Sequence, residues 1–113
     1  MTDRADQHVW QVSTSVDSQE GAQALALGAV GARLAACAQV CGPVSSTFWW
    51  QGAVQTAQEW TVLFKTSASQ YGALEAYLRQ GHPYDVPEIL ATPVVAGSAE
   101  YLSWVRSSAV GVD

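Results

Sequence analysis

The stretch ACAQVCGPVSSTFWWQGAVQTAQEWTVLFKT, residues 36–66, decides the fold, because it contains two strand patterns that can pair as a hairpin. The first half ends in three consecutive aromatic residues, 48–50, which favour a pleated surface. The second half, Glu59 to Thr66, alternates so that its large apolar residues share one face. Gly42-Pro43 interrupts the first half as a bend or bulge, and residues 51–57, which include Gly52, are typical of a turn region. We therefore expect a long antiparallel hairpin.

Working outward from the hairpin, helices are predicted on both sides. Asp17 opens a capping-box pattern ahead of small apolar residues at helical spacing, which predicts a helix to about Arg33. Ser67 and Gln70 repeat the capping pattern before an apolar stripe, and Gly81 stands where a helix C′ residue belongs. Both helices should pack on one face of a sheet.

Two more strands and a last helix complete the order. His8 to Thr14 and Ile89 to Val95 have strand patterns, and Pro93 suits an edge strand because proline cannot donate a ladder hydrogen bond. Ser98 caps a final helix. The order strand, helix, strand, strand, helix, strand, helix predicts an α+β fold, a ferredoxin-like βαββαβ sandwich with an antiparallel sheet and an extra C-terminal helix.

Length and composition predict one domain that assembles with copies of itself. The chain has 113 residues, the size of a single domain, which we place at 1–113 with an ordered core at about 8–108. Hydrophobic residues make up 49% and charged residues 13%, about half the usual charged share. Part of the surface should therefore face another subunit, and the aromatic hairpin is the best candidate.

The charge pattern excludes nucleic acid as a partner. Five basic and ten acidic residues give a net charge of −5, and the basic residues are scattered singly along the chain. A membrane partner is not expected either, because glycine, proline and polar residues interrupt the uncharged stretch from Leu34 to Gln58.

The N-terminus predicts a cytoplasmic protein, and the cytoplasm is a reducing compartment in which cysteines stay free. Met1 to Gln7 is polar and lacks the basic start and apolar run of a secretory signal. Cys37 and Cys41 are expected to be free thiols, because four residues of regular strand would hold them roughly 13 Å apart.

Five segments together carry a resemblance to a known family. They are RLAAC at 33–37, FWWQG at 48–52, Lys65-Thr66, HPYDVPEI at 82–89 and YLSW at 101–104. In this order and spacing, from about His8 to Ser108, the chain resembles the CutA family of divalent-cation tolerance proteins. The resemblance implies a ferredoxin-like protomer, a tight homotrimer with strands paired across subunits, a cytoplasmic location and a role in tolerance of copper and other divalent metals. It implies no established enzymatic reaction.

The copper ligands that the resemblance implies are only partly present. In copper-binding relatives the proposed ligands are a Cys late in the first strand and two His before the Pro-Tyr of the loop. Thr14 and Gly81 occupy two of these places here, so His82 alone remains. The double Trp, usually followed by Glu, Gly and Lys, is followed here by residues 51–53, Gln-Gly-Ala.

The candidate metal ligands are His82, Cys37 and Glu88, with copper or another divalent cation as the ligand. Imidazole suits such metals, but a site needs several donors. The alternative for His82 is a structural role, capping the second helix or bonding a loop carbonyl. Cys37 has no nearby positive charge in the sequence to activate it, so a buried, inert thiol is its alternative.

The candidate residues for a small-molecule site are Lys65, Tyr84, Asp85 and Trp50. Lys65, the only lysine, either binds an anionic ligand in an intersubunit cleft or forms an ion pair with Glu88, and Tyr84 could add a hydrogen bond to either. Trp50 either stacks on a ligand or anchors a subunit interface.

Two functions follow from these alternatives. The first is a trimeric, cytoplasmic protein of divalent-cation tolerance that binds copper or another divalent metal weakly and requires no cofactor. The second is a trimeric small-molecule-binding or protein-interaction signalling module with an intersubunit anion site and an unknown protein partner. An enzyme is not expected, because the chain has no Gly-rich phosphate loop, nucleophile elbow or paired catalytic carboxylates.

Overall fold

The computed structural model describes residues 8–111, so the predictions for Met1–Gln7 and for residues 112–113 lie outside the described residues. The elements are β1 (Val9–Val16), α1 (Gln19–Gly31), β2 (Cys37–Trp50), β3 (Ala53–Ser67), α2 (Tyr71–Gly81), β4 (Leu90–Pro93) and α3 (Ala99–Ser108). A 3₁₀ turn, Ala68–Gln70, leads into α2. The α+β, ferredoxin-like order predicted from the sequence is confirmed.

The four strands form one antiparallel sheet in the order β2-β3-β1-β4. β1 lies between β3 and β4, so Val12 faces Phe64 on one side and Ala91 on the other. β4 is an edge strand, which is how the sheet accommodates Pro93, as expected.

The core lies between the sheet and the first two helices. Its fully buried large side chains come from β1, β3 and α2: Val12, Val16, Val62, Phe64, Leu74 and Leu78. The third helix covers one end of the opposite face, where a smaller cluster joins Val9, Ala36, Val105 and Ala109. We call the rest of that opposite face the open face. No helix in the described part of the chain is long and apolar enough to cross a membrane.

The hairpin is longer than predicted, because its turn is only Gln51-Gly52. Both turn residues have positive φ, 50° and 80°, as in a tight two-residue hairpin turn. The prediction of a turn that extends to residue 57 was wrong. Strand pairing continues outward to Ala53, and the hydroxyl oxygens of Thr47 and Thr56 lie 3.1 Å apart across the two strands. The chain is accordingly elongated, with extents of 50 × 26 × 21 Å.

The helix termini differ from their predicted positions. Ser18, not Asp17, caps α1, and its hydroxyl accepts from the amide of Gly21 at 3.0 Å. Ser67 makes no cap, because its hydroxyl donates to the carbonyl of Ala109 at 2.9 Å and so ties the end of α3 to β3. Gly81 is the last residue of α2 rather than a C′ glycine.

Candidate functional site

A groove of about 810 Å³ lies between the outer half of the hairpin and the loop of residues 82–89. Its volume is within the range of about 300–1,000 Å³ that is usual for small-molecule sites. The hairpin contributes Trp50 and Glu59, and the loop contributes Tyr84, Asp85 and Glu88. Trp50, Tyr84, Asp85 and Glu88, four of the residues proposed from the sequence, therefore meet in one place.

The bulge at Gly42-Pro43 aims the hairpin residues into this groove. Cys41 pairs with Thr61 and Val44 with Glu59, so β2 advances three residues while β3 advances two. This extra residue switches the alternation, which brings the even-numbered residues after the bulge onto the open face beside Glu59. A Cβ on Gly42 would lie 2.6 Å from Cδ1 of Trp60, so only glycine fits this close approach.

The loop is fixed by the imidazole of His82, which bonds through both ring nitrogens. Nδ1 accepts from the amide N–H of Tyr84 at 3.1 Å, and Nε2 lies 3.0 Å from the hydroxyl oxygen of Thr14 on β1. Because Nδ1 accepts, the proton of the neutral ring is on Nε2 and is donated to Thr14. Burial lowers the pKa of His82 and so favours this neutral form.

Tyr84 connects the loop to the hairpin. Its hydroxyl donates to Oε2 of Glu59 at 2.8 Å, and its ring lies 4.9 Å from that of His82. Burial and the bond to Glu59 raise the pKa of Tyr84, so it stays a protonated donor. The chain His82, Tyr84, Glu59 thus joins the end of α2 to the wall of the groove.

Lys65 does not line the groove. It lies six residues beyond Glu59 along β3, a separation of roughly 20 Å in a regular strand. Its ammonium group donates to Oε1 of Gln39 at 3.1 Å. The predicted grouping of Lys65 with Tyr84 and Glu88 in one site is therefore not formed within a protomer.

The candidate metal ligands are also spread over one protomer. Cys37 pairs with Lys65 at the far end of the sheet, where its Sγ lies 3.6 Å from the hydroxyl of Tyr101. His82 has both nitrogens engaged, and Glu88 lies in the groove. Among residues 8–111, no three His, Cys, Asp or Glu side chains form a group that could hold a metal ion. His82 fits its structural alternative, as the C-cap residue of α2 and the anchor of the loop.

Sequence reasoning missed Glu59 as a member of the site. In the sequence it opens the second predicted strand of the hairpin, but in the structure it lies inside β3, and its contribution depends on the register that the bulge sets. Thr14 was noticed only as a replacement for a cysteine, but its hydroxyl holds His82. The alternation of β1 places Thr14 on the buried, helix-facing side.

The fold and the groove define a class: a ferredoxin-like α+β protein with a candidate small-molecule site between a long aromatic hairpin and a proline-containing loop. Comparison with known proteins defines the family. The model of the CutA1 divalent ion tolerance protein family matches residues 10–108, and the chain belongs to this family.

Named relatives agree with this assignment. The chain is 39% identical over 97 residues to the divalent-cation tolerance protein CutA of Thermus thermophilus, covering 86% of this chain and 94% of the relative. It is 36% identical over 97 residues to the chloroplastic protein CutA 1 of rice, covering 86% of this chain but 55% of the rice protein. The structure of CutA from Synechococcus elongatus in complex with Bis-Tris has a TM-score of 0.82 and 38% identity, over 89% of this chain and 93% of that one. These relatives support a role in divalent-cation tolerance.

Proposed function

We propose that this protein serves divalent-cation tolerance as a cytoplasmic homotrimer that binds a small ligand in the groove between the hairpin and the 82–89 loop. The observation that carries the proposal is the convergence of Trp50, Glu59, Tyr84 and Asp85 on one cavity of ligand size. The loop side of this cavity is fixed before a ligand arrives, because His82 and Tyr84 tie it to β1 and β3. A fixed site loses less conformational entropy on binding.

A homotrimer is proposed because the hairpin exposes more apolar surface than is usual for a protein that stays monomeric. Trp49 is 74% exposed and Trp50 51%, and Phe48 and Val54 beside them are exposed as well. β2, with 14 residues, also forms an open edge of the sheet. Exposed aromatic patches and long open edges are typical of surfaces that bind another chain.

The cytoplasmic location is proposed from the cysteines. Cys37 and Cys41 are both free thiols, which a reducing compartment maintains. We also propose a binding protein without a catalytic step.

The metal response is proposed to act through the groove and not through a preformed centre of His82, Cys37 and Glu88. A metal ion at His82 would displace the hydrogen bond to Tyr84 or the one to Thr14, and Cys37 lies at the other end of the sheet. Weak binding of copper or another divalent cation is compatible with this arrangement through the exposed carboxylates of Asp85 and Glu88.

The Synechococcus relative, solved with a Bis-Tris molecule, supplies a probe for the proposed site. We expect Bis-Tris to titrate this protein saturably in a calorimeter and Trp50→Ala to abolish the saturable heat, because Trp50 is a wall of the groove. Trp104→Ala is the matched control: Trp104 is an exposed tryptophan of α3 that does not line the groove, and its loss should leave the titration unchanged.

A parallel titration with Cu²⁺ tests the other function. Tight Cu²⁺ binding at fixed stoichiometry that His82→Ala abolishes, with no Bis-Tris binding, would contradict the proposal and favour a metal centre. Equal loss of Bis-Tris binding in both tryptophan variants would also contradict it.

A further inference from the structure

The charged side chains that line the groove indicate the chemical class of its ligand. This inference rests on the proposed function. Three carboxylates line the groove, those of Glu59, Asp85 and Glu88. Asp85 and Glu88 are exposed. Of the three carboxylates, only that of Glu59 is partly compensated, by a hydrogen bond from the hydroxyl of Tyr84. No basic side chain lines the groove among residues 8–111.

The basic residues are engaged elsewhere. Arg33 donates to the carbonyl of Ser108 at 3.3 Å, Lys65 to Gln39 at 3.1 Å and Arg79 to Glu75 at 2.9 Å. Arg106 also has a partner. None of these four residues belongs to the groove, so within the described protomer nothing offsets its carboxylates.

Besides the carboxylates, aromatic rings line the groove. Phe48, Trp49 and Trp50 line the same groove from the hairpin side. The face of an aromatic ring attracts a cation, most strongly in tryptophan, and carboxylates accept charge-assisted hydrogen bonds from ammonium groups. An anion would meet three like charges in the same space and no donor of positive charge.

We infer that the ligand of the groove is an organic ammonium cation, held by the carboxylates of Asp85, Glu88 and Glu59 against the rings of the hairpin. This replaces the anionic ligand that Lys65 indicated in the sequence. A hydrated inorganic dication would use the carboxylates alone, whereas an organic cation uses the carboxylates and the rings together.

Three probes of equal chain length test how the charge of the ligand affects its binding. 1,4-Diaminobutane, 1,4-butanediol and succinate each have four carbons and end in two cations, two neutral hydroxyls or two carboxylates. We expect the diamine to bind at least about tenfold more tightly than the diol, by calorimetry in low salt, and succinate to bind least.

Variants locate the effect in the groove. Asp85→Asn combined with Glu88→Gln should weaken diamine binding roughly tenfold, because two partly solvated charge interactions are lost. Glu20→Gln is the matched control, since Glu20 is an exposed carboxylate on α1, in the helix layer on the other side of the sheet. This variant should bind the diamine as the parent protein does.

The outcomes separate this inference from the proposed function. If succinate or the diol binds as tightly as the diamine, or if the double variant binds the diamine undiminished, the ammonium assignment is wrong. If Bis-Tris still titrates the groove in that case, the groove remains a ligand site, and its selection of ligands does not depend on the ammonium charge. If no probe binds, including Bis-Tris, both the inference and the proposed function fail.

Discussion

At the scale of the residue, His82 can be identified from the sequence as a candidate, but its role can be determined only from the fold. Its place before Pro83-Tyr84 marks it as a candidate ligand, but its role depends on Thr14, 68 positions earlier in the chain. Only the fold brings that hydroxyl within 3.0 Å of Nε2. Glu59 was missed for a related reason, because its partner Tyr84 is 25 residues away.

The neutral imidazole predicts a pH dependence of stability. Burial lowers the pKa of His82 below the ordinary 6.5, so below about pH 6.5 the unfolded chain binds a proton more readily than the folded one. The free energy of unfolding should therefore fall as the pH drops from 7.5 to 5.5, and less so in His82→Gln, which does not titrate. Urea unfolding at one protein concentration measures both.

The other histidine provides the control for this experiment. His8→Gln should keep the pH-dependent loss of stability that is assigned to His82. If His82→Gln loses as much stability as the parent protein between the two pH values, the neutral, doubly bonded imidazole is not the group responsible.

At the scale of the element, the hairpin shows which features a local pattern can predict. Its aromatic and alternating residues identified two antiparallel strands, and Gly42-Pro43 identified the bulge. Its turn was predicted too wide, because residues 53–57 have no strong apolar alternation and are ordered by pairing across to β2. Ser67 was misread as a cap for a similar reason, since its partner, the carbonyl of Ala109, lies 42 residues away.

The tight turn makes a prediction about two glycines. Gly52 has φ of 80°, so Gly52→Ala should lower the free energy of unfolding by about 1 kcal/mol, the usual cost of forcing a side chain into the left-handed region. Gly72→Ala is the matched control: Gly72 lies in α2 with open space around it and ordinary φ, so alanine there should raise stability by roughly 0.5–1 kcal/mol. Chemical denaturation of both variants tests this, and equal effects of the same sign would contradict the turn geometry.

At the scale of the whole molecule, low charge and an elongated hairpin point to assembly. The composition alone predicted an oligomer, because 13% charged residues cannot cover a monomer's surface in the usual way. The protomer locates the apolar surface on the outer half of the hairpin rather than on the part of the open face where β1 and β3 carry Gln11, Ser13 and Lys65.

Assembly should depend on the tip of the hairpin. We expect a sedimentation mass three times the 12.0 kDa of one chain, and a lower mass for Trp49→Glu, which places a charge in the proposed interface. Leu27→Glu is the matched control, because Leu27 on α1 is 77% exposed and Trp49 is 74% exposed. A parent protein that sediments as a monomer, or equal dissociation by both variants, would contradict the trimer.

The most direct measurement is nuclear magnetic resonance of the indole N–H groups of the five tryptophans during a Bis-Tris titration. If the groove is the ligand site, the signals of Trp49 and Trp50 shift saturably, while that of Trp10, packed against Tyr71 with ring centroids 5.4 Å apart, stays in place. Saturable shifts at Trp10 or Trp104 without shifts at Trp50, or no shift at all, would contradict the groove as the functional site.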